Sequence, residues 1–160
     1  MSVDFLYTVR QLGQDDLDLM DALLLTFGSA FNDTETYAGK RPSADYTRQL
    51  LASDYFIALV ALKDKEVIGG IAAYELKKFE RERSEIYLYD LAVDEKHRRE
   101  GVAMTLIQEL RKIGAARGAW VIFVQADTSV EDEPAIALYT KLGVREEVLH
   151  FDIAVESGGL

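Results

Sequence analysis

Apolar residues recur along the chain with two different spacings, which predict both strands and helices. Apolar runs and two-residue alternation predict six β-strands, at 5–10, 55–62, 67–76, 84–93, 119–126 and 144–155. Apolar residues three or four positions apart predict four helices, one after Asp15 and Asp16 and others over 44–53, 101–117 and 134–142. Because strands and helices interleave in this way, the sequence predicts an α/β sandwich with a mixed sheet.

The strand at 84–93 carries a carboxylate among apolar neighbours. Strict alternation places Ile86, Leu88, Asp90 and Ala92 on one face, and Tyr87, Tyr89, Leu91 and Val93 on the other. A carboxylate in apolar surroundings is costly unless it is paired or functional, so Asp90 is a candidate general base. The alternative is a structural aspartate bonded to backbone amides. Both tyrosines are interpreted as ordinary strand residues, although a tyrosine beside Asp90 could also stack on sugar rings.

The segment after this strand is basic, and the next helix begins at a glycine. Lys96, Arg98 and Arg99 lie within four positions, and Gly101 opens the helix. The first amides of a helix have no partner inside it and lie at the positive end of its dipole, so they bind anions such as phosphate. The alternative is a solvated basic loop. The patterns GxxxxGK[ST] and GxGxxG do not occur, which argues against a nucleoside triphosphatase or a dehydrogenase.

Composition and charge restrict the domain number, the metal sites and the partners that we expect. A chain of 160 residues predicts a single domain over 1–160, with a tail at about 156–160. Without cysteine there are no disulfides or thiolate ligands, and with two histidines we expect no metal site. The net charge of −10 disfavours nucleic acid and anionic membranes as partners and favours a cation. No apolar run is long enough for a membrane span and the first residues do not resemble a signal peptide, so we expect a cytoplasmic protein.

Three segments of the chain carry short motifs. Arg98-Arg99-Glu100-Gly101-Val102-Ala103 has the pattern [Q/R]-x-x-G-x-[G/A], Leu91-Ala92-Val93 precedes it, and residues 137–143 (ALYTKLG) follow it, with Val144 after them. In this order the segments resemble the pyrophosphate loop, the acetyl-CoA strand and a later segment of the GNAT superfamily of N-acetyltransferases, in which an aromatic residue is commoner at the position of Val144. Over roughly residues 8–153 the chain is similar to aminoglycoside 3-N-acetyltransferases of the gentamicin-acetylating type (type I).

The resemblance implies direct transfer of an acetyl group from acetyl-CoA to a primary amine in a ternary complex. It also implies the GNAT fold, a mixed sheet of six to seven strands flanked by about four helices, and a homodimer paired through the last strands. Ten residues would hold acetyl-CoA, namely Leu91, Ala92, Val93, Arg98, Arg99, Glu100, Gly101, Val102, Ala103 and Met104. Tyr139 would protonate the departing thiolate, whereas its helical position alone indicates a packing residue.

The resemblance further implies an aminoglycoside as acceptor and a role in antibiotic resistance. An ammonium group must lose a proton before it attacks a thioester, and Asp90 would take that proton directly or through water. The other candidate acceptor ligands are Glu35, Tyr37, Glu85, Asp127 and Glu131, and each carboxylate among them could equally be an ordinary surface charge. Two alternative hypotheses assume the same fold. In the first the protein acetylates a polyamine or another primary amine, and in the second it binds acyl-CoA without catalysis.

Overall fold

The computed structural model describes residues 7–160 and contains five β-strands in that range. The strands are β1 (Thr8–Gln11), β2 (Phe56–Lys63), β3 (Glu66–Lys77), β4 (Ser84–Val93) and β5 (Ala119–Val124). The α-helices are α1 (Leu17–Ala30), α2 (Ala44–Ala52), α3 (Val102–Arg117) and α4 (Glu133–Leu142). Short helical turns lie at Glu35–Gly39, Glu95–His97 and Val130–Asp132. Residues 5 and 6 of the predicted first strand lie outside the described residues.

One sheet joins the strands in the order β1-β2-β3-β4-β5. Neighbouring strands are antiparallel except β4 and β5, which run parallel. Parallel neighbours need a long crossover connection, and α3 supplies it here. The predicted α/β fold with a mixed sheet is therefore confirmed.

The sheet has fewer strands than the six to seven predicted, because residues 144–155 form no strand. A segment becomes a strand only through ladder hydrogen bonds to a neighbour, and no strand in the described part of the chain pairs with these residues. Their apolar side chains are exposed instead, as at Val148, Phe151 and Ile153. The prediction of a last strand is wrong for the single chain.

Helices cover both faces of the sheet. On one face, α1 and α2 bury a cluster with strand residues that includes Leu23, Phe27 and Ala92. On the other face, α3 approaches β4 so closely that a Cβ on Gly114 would lie 3.0 Å from Cδ1 of Ile86. Burying such apolar side chains contributes about 1.5–3 kcal/mol each. None of the helices within residues 7–160 has the length and apolar character that a membrane span requires.

Contacts within the chain divide it into two compact units, one that ends at Gln125 and one formed by Ala126–Leu160. The second unit contains the turn Val130–Asp132 and α4, with Pro134 in the first turn of the helix. At the end of α4 the amide of Gly143 donates to the carbonyl of Tyr139 (2.9 Å). The helix predicted over 134–142 is thus confirmed to within one residue at its start.

Candidate active site

β4 contains a β-bulge immediately before the candidate base. Ala72 of β3 pairs with Asp90, but the next residue, Ala73, pairs with Leu88. Tyr89 is therefore an extra residue in β4 that has no opposite partner in β3. A bulge of this kind bends the strand and changes where the following side chains point.

The bulge changes which residues of β4 share a face. Ile86 lies before the bulge and packs on Gly114 of α3. Ala92 lies after it and belongs to the cluster under α1 and α2, and Asp90 contacts Tyr37 from the connection between those two helices. The strict alternation predicted for this strand is therefore wrong, because one inserted residue shifts the two-residue period by one position.

Asp90 is a half-buried carboxylate with one phenol donating to it. The hydroxyl of Tyr37 donates a hydrogen bond to Oδ2 of Asp90 (3.0 Å). Burial raises the pKa of Asp90 to about 6, against the smaller lowering effect of this hydrogen bond. A carboxyl with that pKa is about nine-tenths ionised at pH 7, and it accepts a proton more readily than an exposed aspartate with its pKa of about 3.9. These properties suit a general base.

Tyr37 reaches Asp90 from the helical turn Glu35–Gly39. Its ring packs against Phe27 of α1 and against Phe31, which directly follows that helix, at centroid distances of 5.8 and 5.6 Å. Burial, together with the nearby charge of Asp90, raises the pKa of Tyr37, so its hydroxyl remains a donor. Glu35 of the same turn is exposed. Of the two predicted acceptor ligands in this turn, Tyr37 is the one that contacts Asp90.

Aromatic side chains from three adjacent strands form a continuous row beside Asp90. Tyr74 of β3 lies edge-on to Tyr89 of β4 (5.7 Å between centroids), and Tyr89 lies edge-on to Tyr87 (5.5 Å). Tyr87 in turn stacks on Phe123 of β5 (4.7 Å). We call these four residues the aromatic row. The sequence left stacking on sugar rings as an alternative for a tyrosine beside Asp90 and gave Tyr74 and Phe123 no role. The bulge that joins the row to Asp90 leaves no mark in the sequence beyond the Tyr-Leu-Tyr-Asp run itself.

Glu85, another predicted acceptor ligand, lies near the start of β4 and is ion-paired. Its Oε1 lies 3.4 Å from Nζ of Lys78, which also lies 3.1 Å from Oε1 of Glu80. The lysine partly offsets the negative charge of Glu85, so this carboxylate attracts a cationic acceptor more weakly than an unpaired one would.

The loop before α3 presents backbone and basic side chains together. Gly101 has a φ of +79° and open space where a Cβ would be, so the start of α3 is accessible. Arg98 and Arg99 are exposed, and Nε of Arg98 donates to the carbonyl of Val93 (3.4 Å). Val102 is buried, so it can contribute to a ligand site through its backbone only. A diphosphate fits the free amides of this helix start, with the arginines as charged donors.

The end of β4 next to this loop has a free backbone edge. β5 pairs with Ser84–Leu88 only, and within residues 7–160 the stretch from Asp90 to Val93 pairs on the β3 side alone. Unpaired amides and carbonyls of a strand edge can bind an extended ligand that itself carries amides. The pantetheine arm of CoA has that chemistry, so the predicted cofactor residues 91–93 and 98–104 fit the group.

The second unit contains the remaining predicted site residues. Tyr139 is a half-buried residue of α4, and Glu131 is exposed in the preceding turn. Asp127 accepts a hydrogen bond from the amide of Ser129 (3.1 Å), and its own amide donates to Asp132 (2.7 Å). The side chains of Asp127 and Asp132 therefore stabilise the turn before α4. The side chain of Asp132 makes no hydrogen bond that caps the helix.

Residues 18–144 match the Acetyltransferase (GNAT) family. The chain belongs to this family. It is 66% identical to an aminoglycoside acetyltransferase, HMB0005, from an uncultured soil metagenomic sample, with a TM-score of 0.93 over 98% of this chain and 100% of that one. It is 27% identical to meta-AAC0020, an aminoglycoside acetyltransferase from an uncultured soil metagenomic sample in complex with sisomicin, with a TM-score of 0.86 over 97% and 100% of the two chains.

This GNAT chain spans about half the length of the curated relatives it matches. N-acetyltransferase 8B of Rattus norvegicus is 28% identical over 108 residues, which make up 68% of this chain and 48% of the relative. The GNAT fold is thus confirmed, with five strands in the sheet that residues 7–160 form, and the chain is structurally close to aminoglycoside acetyltransferases. GNAT acetyltransferases use acetyl-CoA, for which the loop before α3 and the edge of β4 are the candidate site.

Proposed function

We propose that this protein acetylates the 3-amino group of gentamicin-like aminoglycosides and thereby confers resistance to them. The observation that carries the proposal is the half-buried Asp90, which directly precedes the free edge of β4 where an acetyl donor fits. The similarity to two aminoglycoside acetyltransferases supports the acceptor class. The choice of the 3-amino group comes from the resemblance of the sequence to the type I enzymes.

Acetyl-CoA is held by two neighbouring segments in this proposal. Residues 98–104 bind the diphosphate, with the amides of the first turn of α3 and the guanidinium groups of Arg98 and Arg99 as donors. Leu91–Val93 bind the pantetheine arm along the free edge of β4. The cofactor supplies a thioester, and transfer exchanges its C–S bond for a C–N bond to the acceptor.

Asp90 is the general base of the proposed reaction. An alkylamine with a pKa of about 10.4 is neutral in only about one molecule in 10³ at pH 7, and only the neutral amine has a lone pair for attack. Asp90 is largely ionised at this pH, and its pKa of about 6 makes it a better proton acceptor than an ordinary aspartate. Tyr37 holds the carboxylate in place through its hydrogen bond.

Tyr139 of α4 is the proposed acid that protonates the CoA thiolate. A phenol with an ordinary pKa near 10 keeps its proton at neutral pH and can donate it to a thiolate. A single catalytic domain over 1–160 is part of the proposal. Glu35, Glu85, Asp127 and Glu131 add negative charge, and the chain as a whole, at −10, attracts a polycation.

A homodimer in the cytoplasm completes the proposal. Residues 144–155 expose apolar side chains such as Val148, Phe151 and Ile153, and an exposed apolar set of this kind indicates a surface that another molecule covers. Sedimentation of the purified protein tests this point. A Phe151→Asp variant should sediment as a monomer if two copies pair through this segment.

The function is tested by release of CoA thiol with gentamicin, kanamycin and spermidine as separate acceptors. The chain has no cysteine, so it contributes no thiol background. Rapid release with gentamicin supports the proposal, and NMR of the product then identifies the acetylated amine. Release with spermidine alone would replace the aminoglycoside by a polyamine, and acetyl-CoA binding without release would indicate a non-catalytic module.

A further inference from the structure

The aromatic row offers an exposed surface next to a carboxylate. Tyr89, the bulge residue, is 57% exposed, and Tyr74, Tyr87 and Phe123 are half-buried around it. A large aromatic side chain that remains exposed at a β-bulge gains little from its own fold. Its position directly before Asp90 places this ring beside the base of the proposed reaction.

The rings of the row support one another. Tyr89 lies edge-on to both Tyr74 and Tyr87, with interplanar angles of 88° and 73°. Tyr87 is fixed by stacking on Phe123 at an angle of 9° and by a hydrogen bond from its hydroxyl to Oε1 of Gln125 (2.9 Å). Edge-on and stacked arrangements of aromatic rings are both energetically favourable. The row is therefore a preorganised surface, so a ligand would not have to order it on binding.

The electrostatics of the row favour a cation with an apolar frame. Burial, followed by the charges of neighbouring groups that include Asp90, raises the pKa of Tyr74 and of Tyr87, so both phenols stay neutral near Asp90. The faces of neutral aromatic rings attract ammonium groups, and they also pack against the C–H groups of a ring. An ammonium paired with Asp90 would therefore leave its carbon frame over the rings.

We propose that the aromatic row binds the ring that bears the reactive amine, so that Tyr89 and Tyr87 select ring-bearing amines over linear polyamines. The inference rests on the proposed function. A second copy of the chain is a poorer occupant of this face, because a two-fold contact through it would bring two Asp90 carboxylates close together. Charge complementarity instead favours the cationic acceptor.

The test is the equilibrium binding of gentamicin and of spermidine to Tyr89→Leu, Tyr89→Phe and Phe79→Leu variants, measured by calorimetry. Phe79→Leu is the matched control, because it removes an aromatic ring that is 99% exposed and lies outside the row. We expect Tyr89→Leu to weaken gentamicin binding about tenfold and spermidine binding less than about twofold. Tyr89→Phe should retain gentamicin binding, and acetyl-CoA binding should be unchanged in all three.

Several outcomes overturn the inference. Unchanged gentamicin binding in Tyr89→Leu, equal weakening in Phe79→Leu, or no gentamicin binding by the unaltered protein each contradicts it. Sedimentation of Tyr89→Leu as a monomer, when the unaltered protein is a dimer, would assign the row to a second copy instead. If the proposed function is wrong but this inference is right, the result is different. Gentamicin then binds to the unaltered protein more tightly than to Tyr89→Leu, but no CoA thiol is released.

Discussion

The two halves of β4 belong to one strand and have different tasks. Ser84–Leu88 pairs with β3 on one side and β5 on the other, and its Ile86 packs on α3. Beyond Tyr89 the strand pairs with β3 only, and Asp90 contacts a tyrosine from the connection between α1 and α2. The first half is paired on both sides of its backbone, whereas the second half leaves one backbone edge and the Asp90 carboxylate available for ligands.

A single extra residue accounts for this difference. The bulge at Tyr89 moves Asp90 to the face of the aromatic row and coincides with the end of the pairing to β5. A bulge disrupts the ladder locally and redirects side chains, which is why bulges are frequent next to active sites. The comparison teaches that the candidate site depends on an interruption of regular structure rather than on a separate loop. Substitutions on either side of the bulge should therefore affect different properties.

The largest effect is expected from removing the charge of Asp90. Asp90→Asn should lower kcat/KM for gentamicin by about 10²–10⁴, the usual contribution of a general base, while acetyl-CoA binding is retained. The matched variant in the first half is Glu85→Gln, whose carboxylate is already paired with Lys78. It should change kcat/KM by less than about threefold, as expected for an ion pair near the protein surface. Steady-state kinetics of both variants check this, and equal losses would contradict the division of β4.

Asp90→Asn should also change stability, with a sign that depends on pH. The folded pKa of Asp90, about 6, lies above its unfolded value, so ionisation of this group destabilises the folded state. The destabilisation is small below pH 4, grows as pH rises towards 6 and is complete above it. After allowance for solvent screening of a half-buried group, Asp90→Asn should gain about 1–2 kcal/mol in urea unfolding at pH 8 and less at pH 5.

The reverse pattern is expected in the first half of β4. Ile86 has no exposed surface and packs on Gly114, so Ile86→Ala should lower the free energy of unfolding by about 2–5 kcal/mol. The activity of the folded fraction should stay nearly unchanged, because Ile86 faces away from Asp90. Urea unfolding and kinetics at a temperature where the variant is folded check both parts. A large loss of kcat in folded protein would mean that the two halves are coupled across the bulge.

The sequence predicted the elements of the fold well, because most of them are specified locally. The apolar spacing of α3 and the glycines at both of its ends predicted a helix over 101–117, and the structure places it at Val102–Arg117. The segment 144–155 has an equally clear strand pattern but forms no strand. The alternation of apolar residues predicts how a strand would bury its side chains, but only a neighbouring backbone can pair with it.

The candidate site was predictable where chemistry follows from residue type, as at Asp90 and the loop before α3. Stacking by a tyrosine beside Asp90 was an alternative that the sequence left open. The row of four rings was not predictable, since a bulge depends on the register between β3 and β4 and not on the composition of either strand. Tyr37 was proposed as an acceptor ligand, but its hydroxyl donates to Asp90. A contact between residues 53 positions apart follows from how α1 and its following turn pack on the sheet.

A smaller effect is expected at the two ends of α3, which share one backbone conformation. Gly101 has a φ of +79° and Gly118 one of +80°, with open space around both. Alanine at either position should therefore lower stability by a similar amount, about 1–2 kcal/mol. Only Gly101→Ala should also raise the KM for acetyl-CoA, by about fivefold, through displacement of the helix-start amides. Equal KM values in the two variants would remove the start of α3 from the cofactor site.

The smallest effect, and the one that examines the second half of β4 most directly, is a shift of the pH profile. In the unaltered protein, kcat/KM should rise through about pH 6 as Asp90 ionises. The hydrogen bond from Tyr37 favours the ionised carboxylate, so Tyr37→Phe should raise the pKa of Asp90 and move this acid limb to higher pH. Activity well above the limb should recover, because Asp90 is then ionised in both proteins. The control is Tyr46→Phe, which removes an exposed hydroxyl of α2 and should leave the acid limb at the same pH. If Tyr37→Phe instead lowers kcat/KM by the same factor at every pH, Tyr37 acts through packing alone.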